Sequence, residues 1–386
     1  MKKLVSLAAL VSVALTGCVS NEEIIPEQKN KAISFEVASY VPQSRTSGAF
    51  STDQSFGVNA WYTLDDATDL MMDGVTVSYN ENDNDGDDND YDNTWKTSTA
   101  YYWPKKGTID FIAYYPTTVE PAITYYYEGG DKLTYTNYTV KNSDSTADPD
   151  PVYTASITPS DDLMYANKAI RFNNNANAAT NGTNLGYTGD YGFEGVPTLF
   201  NHALAQLKFK VQNAKPDDGT YKWIITVKKI EVTCYNQGSV TLTNAGTNNA
   251  SIGTWTKPTN EVWTPTEPKT LITTPLTWEP ATAVTLSDDT PKAFDNKTVY
   301  ILPQTLVDEE QKVTVSYNVK VTKQDDIEVD NDDYVEEFDL YTAGLPHWQM
   351  NKIITYTLSF NPVGEMILFA PAVEEWSAAN GTIVVM

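Results

Sequence analysis

The amino-terminal residues contain a motif that directs a defined chemical modification to one side chain. Leu15-Thr16-Gly17-Cys18 follows two lysines and an apolar run that begins at Leu4, which is the arrangement of a secretory signal peptide. A lipoprotein signal peptidase cuts before the cysteine of such a motif, so residues 1–17 are predicted to be removed and Cys18 to be lipidated. A cysteine that carries two or three acyl chains anchors a protein stably.

A run of carboxylates between Glu81 and Asp92 could bind calcium. Placing Gly86 at the sixth loop position puts Glu81, Asp83 and Asp85 at the first, third and fifth, and Asp92 at the twelfth. An EF-hand loop has Asp first, a bidentate Glu last and a helix on each side. Both end residues differ here, so a disordered acidic hairpin insertion is favoured and a weak calcium-stabilised loop is the alternative.

The residue types needed for catalysis are present but not grouped. His202 and His347 are far apart, no His/Cys cluster has metal-ligand spacing, and no Gly-x-Ser-x-Gly elbow accompanies either histidine. Each histidine is interpreted as a hydrogen-bonded core or turn residue. Paired carboxylates can hydrolyse glycosides, but acidic runs such as 325–326 and 330–333 are interpreted as solvated loops. The chain is therefore predicted not to be an enzyme and to need no cofactor.

Aromatic residues are concentrated in a predicted hairpin that begins at Trp95 and continues through Tyr101-Tyr102-Trp103-Pro104. Exposed aromatic rings of this kind could stack on sugars. Aromatic residues on adjacent strands also fill the cores of β-sandwiches. Core packing is the favoured interpretation, and glycan binding is the alternative.

Charge and cysteine content limit the partners and the sources of stability. The chain has 26 basic and 51 acidic residues, a formal net charge of −25, which repels nucleic acid and anionic lipid headgroups. Apart from Cys18 the only cysteine is Cys234, so no intrachain disulfide is expected in the mature chain. Cys234 is predicted to be a small buried hydrophobic residue.

The elements that must position these residues are predicted to be strands. Between Lys312 and Thr322 valines and a tyrosine alternate with polar residues, the period of a half-buried strand. No long segment has the 3.6-residue period of an amphipathic helix, so the fold is predicted to be all-β, with antiparallel β-sandwiches. Further strands are predicted at 33–41, 108–115, 206–211, 224–235, 239–243, 299–302, 334–341 and 353–360.

Changes in composition along the chain predict a tether followed by two domains. Residues 21–31 are polar and acidic and form a predicted tether, which together with the first strand makes up residues 18–45. An acidic tether after a lipidated cysteine resembles the signal that sends some Gram-negative lipoproteins to the outer face of the outer membrane. An Asn- and Gly-rich stretch from 173 to 195 precedes a new apolar run. We therefore predict an N-terminal domain at 46–198 and a C-terminal domain at 199–386.

These motifs together resemble the fimbrillin family, the fimbrillin-like branch of type V pilins, over nearly the whole chain. The resemblance implies two tandem transthyretin-like antiparallel β-sandwich domains and an exported lipoprotein precursor. It also implies that an Arg-specific protease cuts after the first strand and that a strand from the next subunit fills the vacated groove. The residues that carry the resemblance are Cys18, 33–41, Arg45, 95–116, 200–209, 301–304, 351–352 and 373–376.

The sequence offers a processing site and donor strands for this mechanism. Arg45 is one of two arginines and stands in a small polar loop after the first strand, the kind of segment that proteases cut; the cut would fall between Arg45 and Thr46. Alternatively, Arg45 is an ordinary loop residue and the C-terminal strands complete the second sandwich. The donor-strand candidates are Ile367, Leu368, Phe369, Ile383, Val384 and Val385.

The favoured functional hypothesis is therefore a structural and adhesive pilus subunit whose partners are other pilus subunits. A monomeric outer-membrane surface lipoprotein that binds glycans is the alternative, and host glycans or host proteins are the further candidate partners. An acidic glycoside hydrolase is a weaker third hypothesis.

Overall fold

A computed structural model of the chain shows that the protein is all-β, as predicted. A short 3₁₀ helix spans Leu340–Ala343. In the described part of the chain, no helix has the length and hydropathy that crossing a bilayer requires. The residues that the structure describes are 32–38, 52–80, 94–104, 106–126, 131–140, 162–166, 168–172, 195–244, 262–267, 269, 271–272, 275–343, 345–361 and 367–375.

The strands follow one another along the chain as follows. They are β1 (Phe35–Ala38), β2 (Ser55–Leu64), β3 (Ala67–Asn80), β4 (Thr94–Thr97), β5 (Thr108–Tyr115), β6 (Ala122–Thr124), β7 (Asp131–Thr139), β8 (Met164–Ala166), β9 (Ala169–Phe172), β10 (Val196–His202), β11 (Ala205–Asn213), β12 (Tyr221–Thr233), β13 (Gln237–Asn244), β14 (Thr264–Pro265), β15 (Leu276–Trp278), β16 (Val284–Leu286), β17 (Lys292–Ile301), β18 (Lys312–Lys323), β19 (Glu328–Asp339), β20 (Lys352–Phe360) and β21 (Ile367–Glu375).

The first sheet has the order β2-β3-β4-β1-β10-β8-β5-β9, and β2 also pairs with β5. That extra pairing closes a ring from β2 through β3, β4, β1, β10 and β8 to β5, with β9 paired to β5 outside the ring. The sheet therefore surrounds its own core and hides edges that an open sheet would expose. Phe56, Val58 and Phe111 are at most 3% exposed inside it. Apolar burial of this kind is the dominant favourable term in folding.

The C-terminal half is a sandwich of two sheets. One sheet has the order β17-β11-β20-β21 and the other β15-β12-β18-β19, with β16 also paired to β12. Phe209, Trp278 and Tyr317 lie in the core between them. Strand β11 lies between antiparallel β17 and parallel β20, just as β1 lies between antiparallel β4 and parallel β10. This shared arrangement agrees with the predicted tandem arrangement of two β-sandwich domains.

A fourth sheet joins the two halves. Its order is β14-β13-β7-β6, so strands from before and after the predicted boundary at residue 198 pair directly, with Leu242 opposite Leu133. A third core cluster beneath it includes Ile112 from the first sheet and Leu302 from the C-terminal half. Position 198 itself lies within β10, whose strand belongs to the first sheet. The exact domain boundary stays a prediction.

Strand β5 spans the predicted residues 108–115, and β18 spans 312–323 against a prediction of 312–322. The acidic run 330–333 was predicted to be a loop, which is wrong: it lies in β19, paired along its length with β18. The reason is that β19 is an edge strand whose first six residues are exposed, so it carries charge where a core strand carries apolar residues. Charged side chains on an edge strand discourage pairing with other chains.

Candidate functional site: the position of the first strand

Strand β1 lies in the interior of the first sheet although it comes first in the chain. It pairs in parallel with β10, with Phe35 opposite Val196, and antiparallel with β4, where Phe35 lies opposite Trp95. Most N-terminal segments are poorly ordered unless they are tied down in this way. The strand is therefore a structural part of the closed sheet.

The inward side chains of this segment fill the core. Ile33 is 2% exposed and Phe35 is 3% exposed. The Phe35 ring makes edge-to-face contacts with Phe56 and Phe111, with centroids 5.9 and 5.7 Å apart. Aromatic pairs in this geometry add about 0.5–1.5 kcal/mol beyond their buried area. Phe35 therefore occupies a specific aromatic pocket.

Backbone hydrogen bonds hold the same segment on both sides. The Ile33 amide donates to the Tyr101 carbonyl oxygen at 2.7 Å, and the Val196 amide donates to the Ser34 carbonyl oxygen at 2.8 Å. Ala32 forms an isolated antiparallel bridge with Tyr102. If the segment left, backbone groups on both neighbouring strands would lose their partners, and such groups are a template for another strand.

Loss of β1 would open the closed sheet along its length. It would expose a trough walled by β4 and β10, and its floor would include Phe56, Phe111 and Phe200. A strand that entered this trough in the direction of β1 would run antiparallel to β4 and parallel to β10. An apolar residue at the position of Phe35 would restore the aromatic contacts.

Several predicted site residues lie outside the described residues. These include Cys18 and the processing pair Arg45 and Thr46, which follow the last described residue of β1, Ala38, in the sequence. They stay predictions. The donor candidates Ile383, Val384 and Val385 and the calcium-loop candidates Glu81, Asp83, Asp85 and Asp92 also lie outside the described residues.

The other donor candidates lie in β21. Ile367, Leu368 and Phe369 pair with Phe360, Ser359 and Leu358 of β20. Strand β21 is at the edge of its sheet, so one ladder of hydrogen bonds holds it. In this structure these three residues therefore complete the C-terminal sandwich.

The aromatic hairpin is mainly core. Trp95 and Trp103 are 7% and 5% exposed and belong to the core of the first sheet, which confirms the core interpretation of both. Tyr102, in contrast, is 50% exposed to solvent. One exposed ring offers a much smaller stacking surface than the pair of tryptophans would.

Neither histidine belongs to a cluster of potential metal ligands in the described residues. His202 is buried, and its Nδ1 lies 2.6 Å from a carboxylate oxygen of Asp162, so the core interpretation of His202 is confirmed. His347 is partly buried and forms an isolated bridge with Thr305.

Within the described ranges no group of three or more His, Cys, Asp or Glu side chains could hold a metal ion. The strands on either side of the acidic run 81–92, β3 and β4, pair with each other.

Sequence reasoning missed the role of β10. Residues from Leu199 onward were assigned to the second domain, yet β10 is the parallel neighbour of β1. The Asn- and Gly-rich stretch before it looks like a linker, and parallel pairing between distant segments leaves no local signal. The available sign was the apolar pair Leu199 and Phe200 directly after Pro197 and Thr198, which is short for a strand signal.

Comparisons with known proteins agree with this architecture. A family model described as fimbrillin-like matches residues 43–376. A fimbrial protein from Bacteroides vulgatus is similar in structure, with a TM-score of 0.55 and 16% identity over 90% of this chain and 100% of that one. The tip fimbrial protein Mfa3 from Porphyromonas gingivalis, with a C-terminal truncation, matches at a TM-score of 0.31 and 10% identity, over 84% of this chain and 94% of that one. The comparison with curated proteins gives no match.

Proposed function

Because the chain belongs to the fimbrillin-like family, we propose that it is a structural and adhesive subunit of a cell-surface fimbria that polymerises by donor-strand exchange. The role is one of assembly and adhesion, with no catalytic step of its own and no cofactor. The observation that carries the proposal is the interior position of β1, which is paired on both sides and supplies Phe35 to the core. Its removal leaves a site shaped for another strand.

The proposed sequence of events begins with export as a lipoprotein anchored through Cys18 to the outer membrane. A protease that recognises arginine then cuts between Arg45 and Thr46, and β1 leaves with the residues that precede it. Because Cys18 lies on the N-terminal side of the cut, the folded domains lose their lipid at the same step. The lipid thus delivers the precursor to the surface and need not hold the finished subunit.

The proposed donor is the C-terminal segment of another subunit. Residues 382–386 are uncharged and apolar apart from Thr382, which suits insertion between β4 and β10. Strand β21 could supply the donor only by separating from β20, because its backbone is paired there. This cost favours Ile383, Val384 and Val385 over the residues of β21.

Surface filaments on intact cells test the proposal. Cells that express Arg45→Ala should retain the uncut lipoprotein and lose the filaments that contain this subunit. The matched control is Arg171→Lys, since Arg171 is the other arginine and lies within β9. Filaments that persist undiminished in the Arg45→Ala strain would show that a cut at this site is not needed for assembly.

A further inference from the structure

A fully buried lysine lies between two buried carboxylates in the N-terminal half. Lys168 Nζ is 2.8 Å from an oxygen of Asp131 and 3.0 Å from an oxygen of Asp110. The side chains of Lys168 and Asp131 are 0% exposed, and that of Asp110 is 2% exposed. Removing charged groups from water is unfavourable even when the charges are paired. Ion pairing alone is therefore a poor source of stability at this position.

Aromatic side chains and backbone groups fix the three residues in place. The Lys168 ammonium lies 4.4 Å from the centroid of the Tyr125 ring, which stacks on Trp61. The Tyr125 hydroxyl donates to Asp110 at 2.9 Å. A backbone amide, that of Tyr126, donates to the other carboxylate oxygen of Asp131. The site is thus dry, and each reacting group has a fixed orientation.

We propose that Lys168 and Asp131 form an intramolecular isopeptide bond, with Asp110 as the group that moves the protons. The amine lies close enough to the Asp131 carboxyl for attack on its carbon. The Tyr126 amide is placed to stabilise negative charge on the carboxyl oxygen as the tetrahedral intermediate forms. Lys168 and Asp131 become one cross-linked unit in which the lysine nitrogen is acylated.

The step balances without any added reactant. Lys168 passes one proton to Asp110, and the free amine attacks the neutral carboxyl group of Asp131 to form the C–N bond. A second proton moves from the nitrogen through Asp110 to the departing hydroxyl group, the C–O bond breaks, and one water leaves. The products are an amide and a protonated Asp110, so the buried ionic charges disappear.

The protonation of Asp131 agrees with this assignment. Burial raises the pKa of Asp131 above its usual value, and the Asp110 carboxylate adds to the effect, while the charge of Lys168 and two hydrogen bonds oppose it. A raised pKa favours the neutral carboxyl group, which is the form that an amine can attack to form an amide. The supporting geometry is independent of this shift.

The cross-link would stabilise the fold covalently in a chain that cannot form an intrachain disulfide. Cys234 is the only cysteine after the lipidation site, so a disulfide cannot form within the mature chain. An amide between residues 131 and 168 closes a loop of the chain and restricts the unfolded state, as a disulfide does. This inference does not depend on strand exchange or on processing at Arg45.

Peptide mass spectrometry of the full chain purified from cells tests the bond. Trypsin should yield segments 107–132 and 142–171 joined, lighter than their sum by the mass of one water, with no cut after Lys168. Both aspartates fall in the first segment, so a second cut after Glu128 separates them. We expect the link on the Asp131 side. Separate peptides, or a link on the Asp110 side, would overturn the proposal.

Two variants check the chemistry. Lys168→Arg keeps the positive charge, and we expect complete loss of the linked peptide. Asp110→Asn keeps the size of the side chain but cannot carry the protons, so the linked fraction should fall at least tenfold. Circular dichroism confirms that each variant is folded. An undiminished linked fraction in Asp110→Asn would contradict the assigned role of Asp110.

Discussion

Phe35 and Phe111 meet edge to face across the core of the first sheet, with ring centroids 5.7 Å apart and planes at 89°. The contact joins β1, the strand that the proposed processing step removes, to the middle of β5. The precursor therefore uses β1 to complete its own core. In the proposed mechanism the same pocket would receive the incoming strand once β1 has been removed.

Replacing Phe35 should destabilise the precursor. Phe35→Ala removes the ring from a buried pocket, and a change of this kind costs about 3–5 kcal/mol. Guanidinium unfolding measures the free energy directly. Val329→Ala is the control, because Val329 is 51% exposed on β19 and should cost far less. A free energy of unfolding for Phe35→Ala equal to that of the wild type would contradict the core role of β1.

Gly57 lies opposite Tyr114 in the β2–β5 pairing, and a methyl group there would collide with the ring. A Cβ on Gly57 would lie 2.3 Å from a Tyr114 ring atom. Gly57→Ala should cost about 1–3 kcal/mol by overpacking. In a Tyr114→Ala background Gly57→Ala should cost less, because the cavity left by the ring accepts the methyl group, so the two changes should cost less together than their sum. A double variant whose loss of unfolding free energy equals the sum of the two single losses would contradict the predicted clash.

The fourth sheet should couple the two halves energetically. Leu242 is 0% exposed in the cluster beneath that sheet, and Leu242→Ala should cost about 2–5 kcal/mol. Because the cluster includes Ile112 of β5 and Tyr300 of β17, amide hydrogen exchange should accelerate in both strands. Val329→Ala again serves as the control. Acceleration confined to one half would show that the halves unfold independently.

The thiol of Cys234 should be unreactive in the folded protein. Burial raises the pKa of Cys234 to about 12, and the thiolate is the reactive form. At pH 8 a thiol reagent should therefore label Cys234 only after denaturation. The experiment uses Cys18→Ser so that one cysteine is counted. Rapid labelling of the native protein would place Cys234 in contact with solvent.

The sequence was sufficient for the fold class and for the strands with clear alternation. Strand β18 was predicted to within one residue because its valines alternate with polar residues on a half-buried face. Strand β5 was predicted with its observed bounds, and its two faces enter different core clusters, with Phe111 in one and Ile112 in the other. Periodicity reports burial, so it succeeds where burial is regular.

The remaining features depend on contacts that are distant in the sequence. Strand β19 was predicted to begin at residue 334, whereas it begins at Glu328, because its exposed acidic first half has the composition of a loop. The cluster of Lys168, Asp110 and Asp131 was missed because the three residues are far apart in the sequence and each alone has an ordinary interpretation. Only the packing of the fourth sheet against β5 shows that these charges are buried together.

Cleavage of the purified precursor by an Arg-specific protease tests the central claim most directly. The account predicts a new N-terminus at Thr46 and, in detergent without heating, a ladder of oligomers that collapses to monomers on boiling. An excess of a peptide with the sequence of residues 32–41 should suppress the ladder by refilling the trough, while Arg45→Ala should give neither the new terminus nor the ladder. A protein that is cut at Arg45 and stays monomeric would contradict the account.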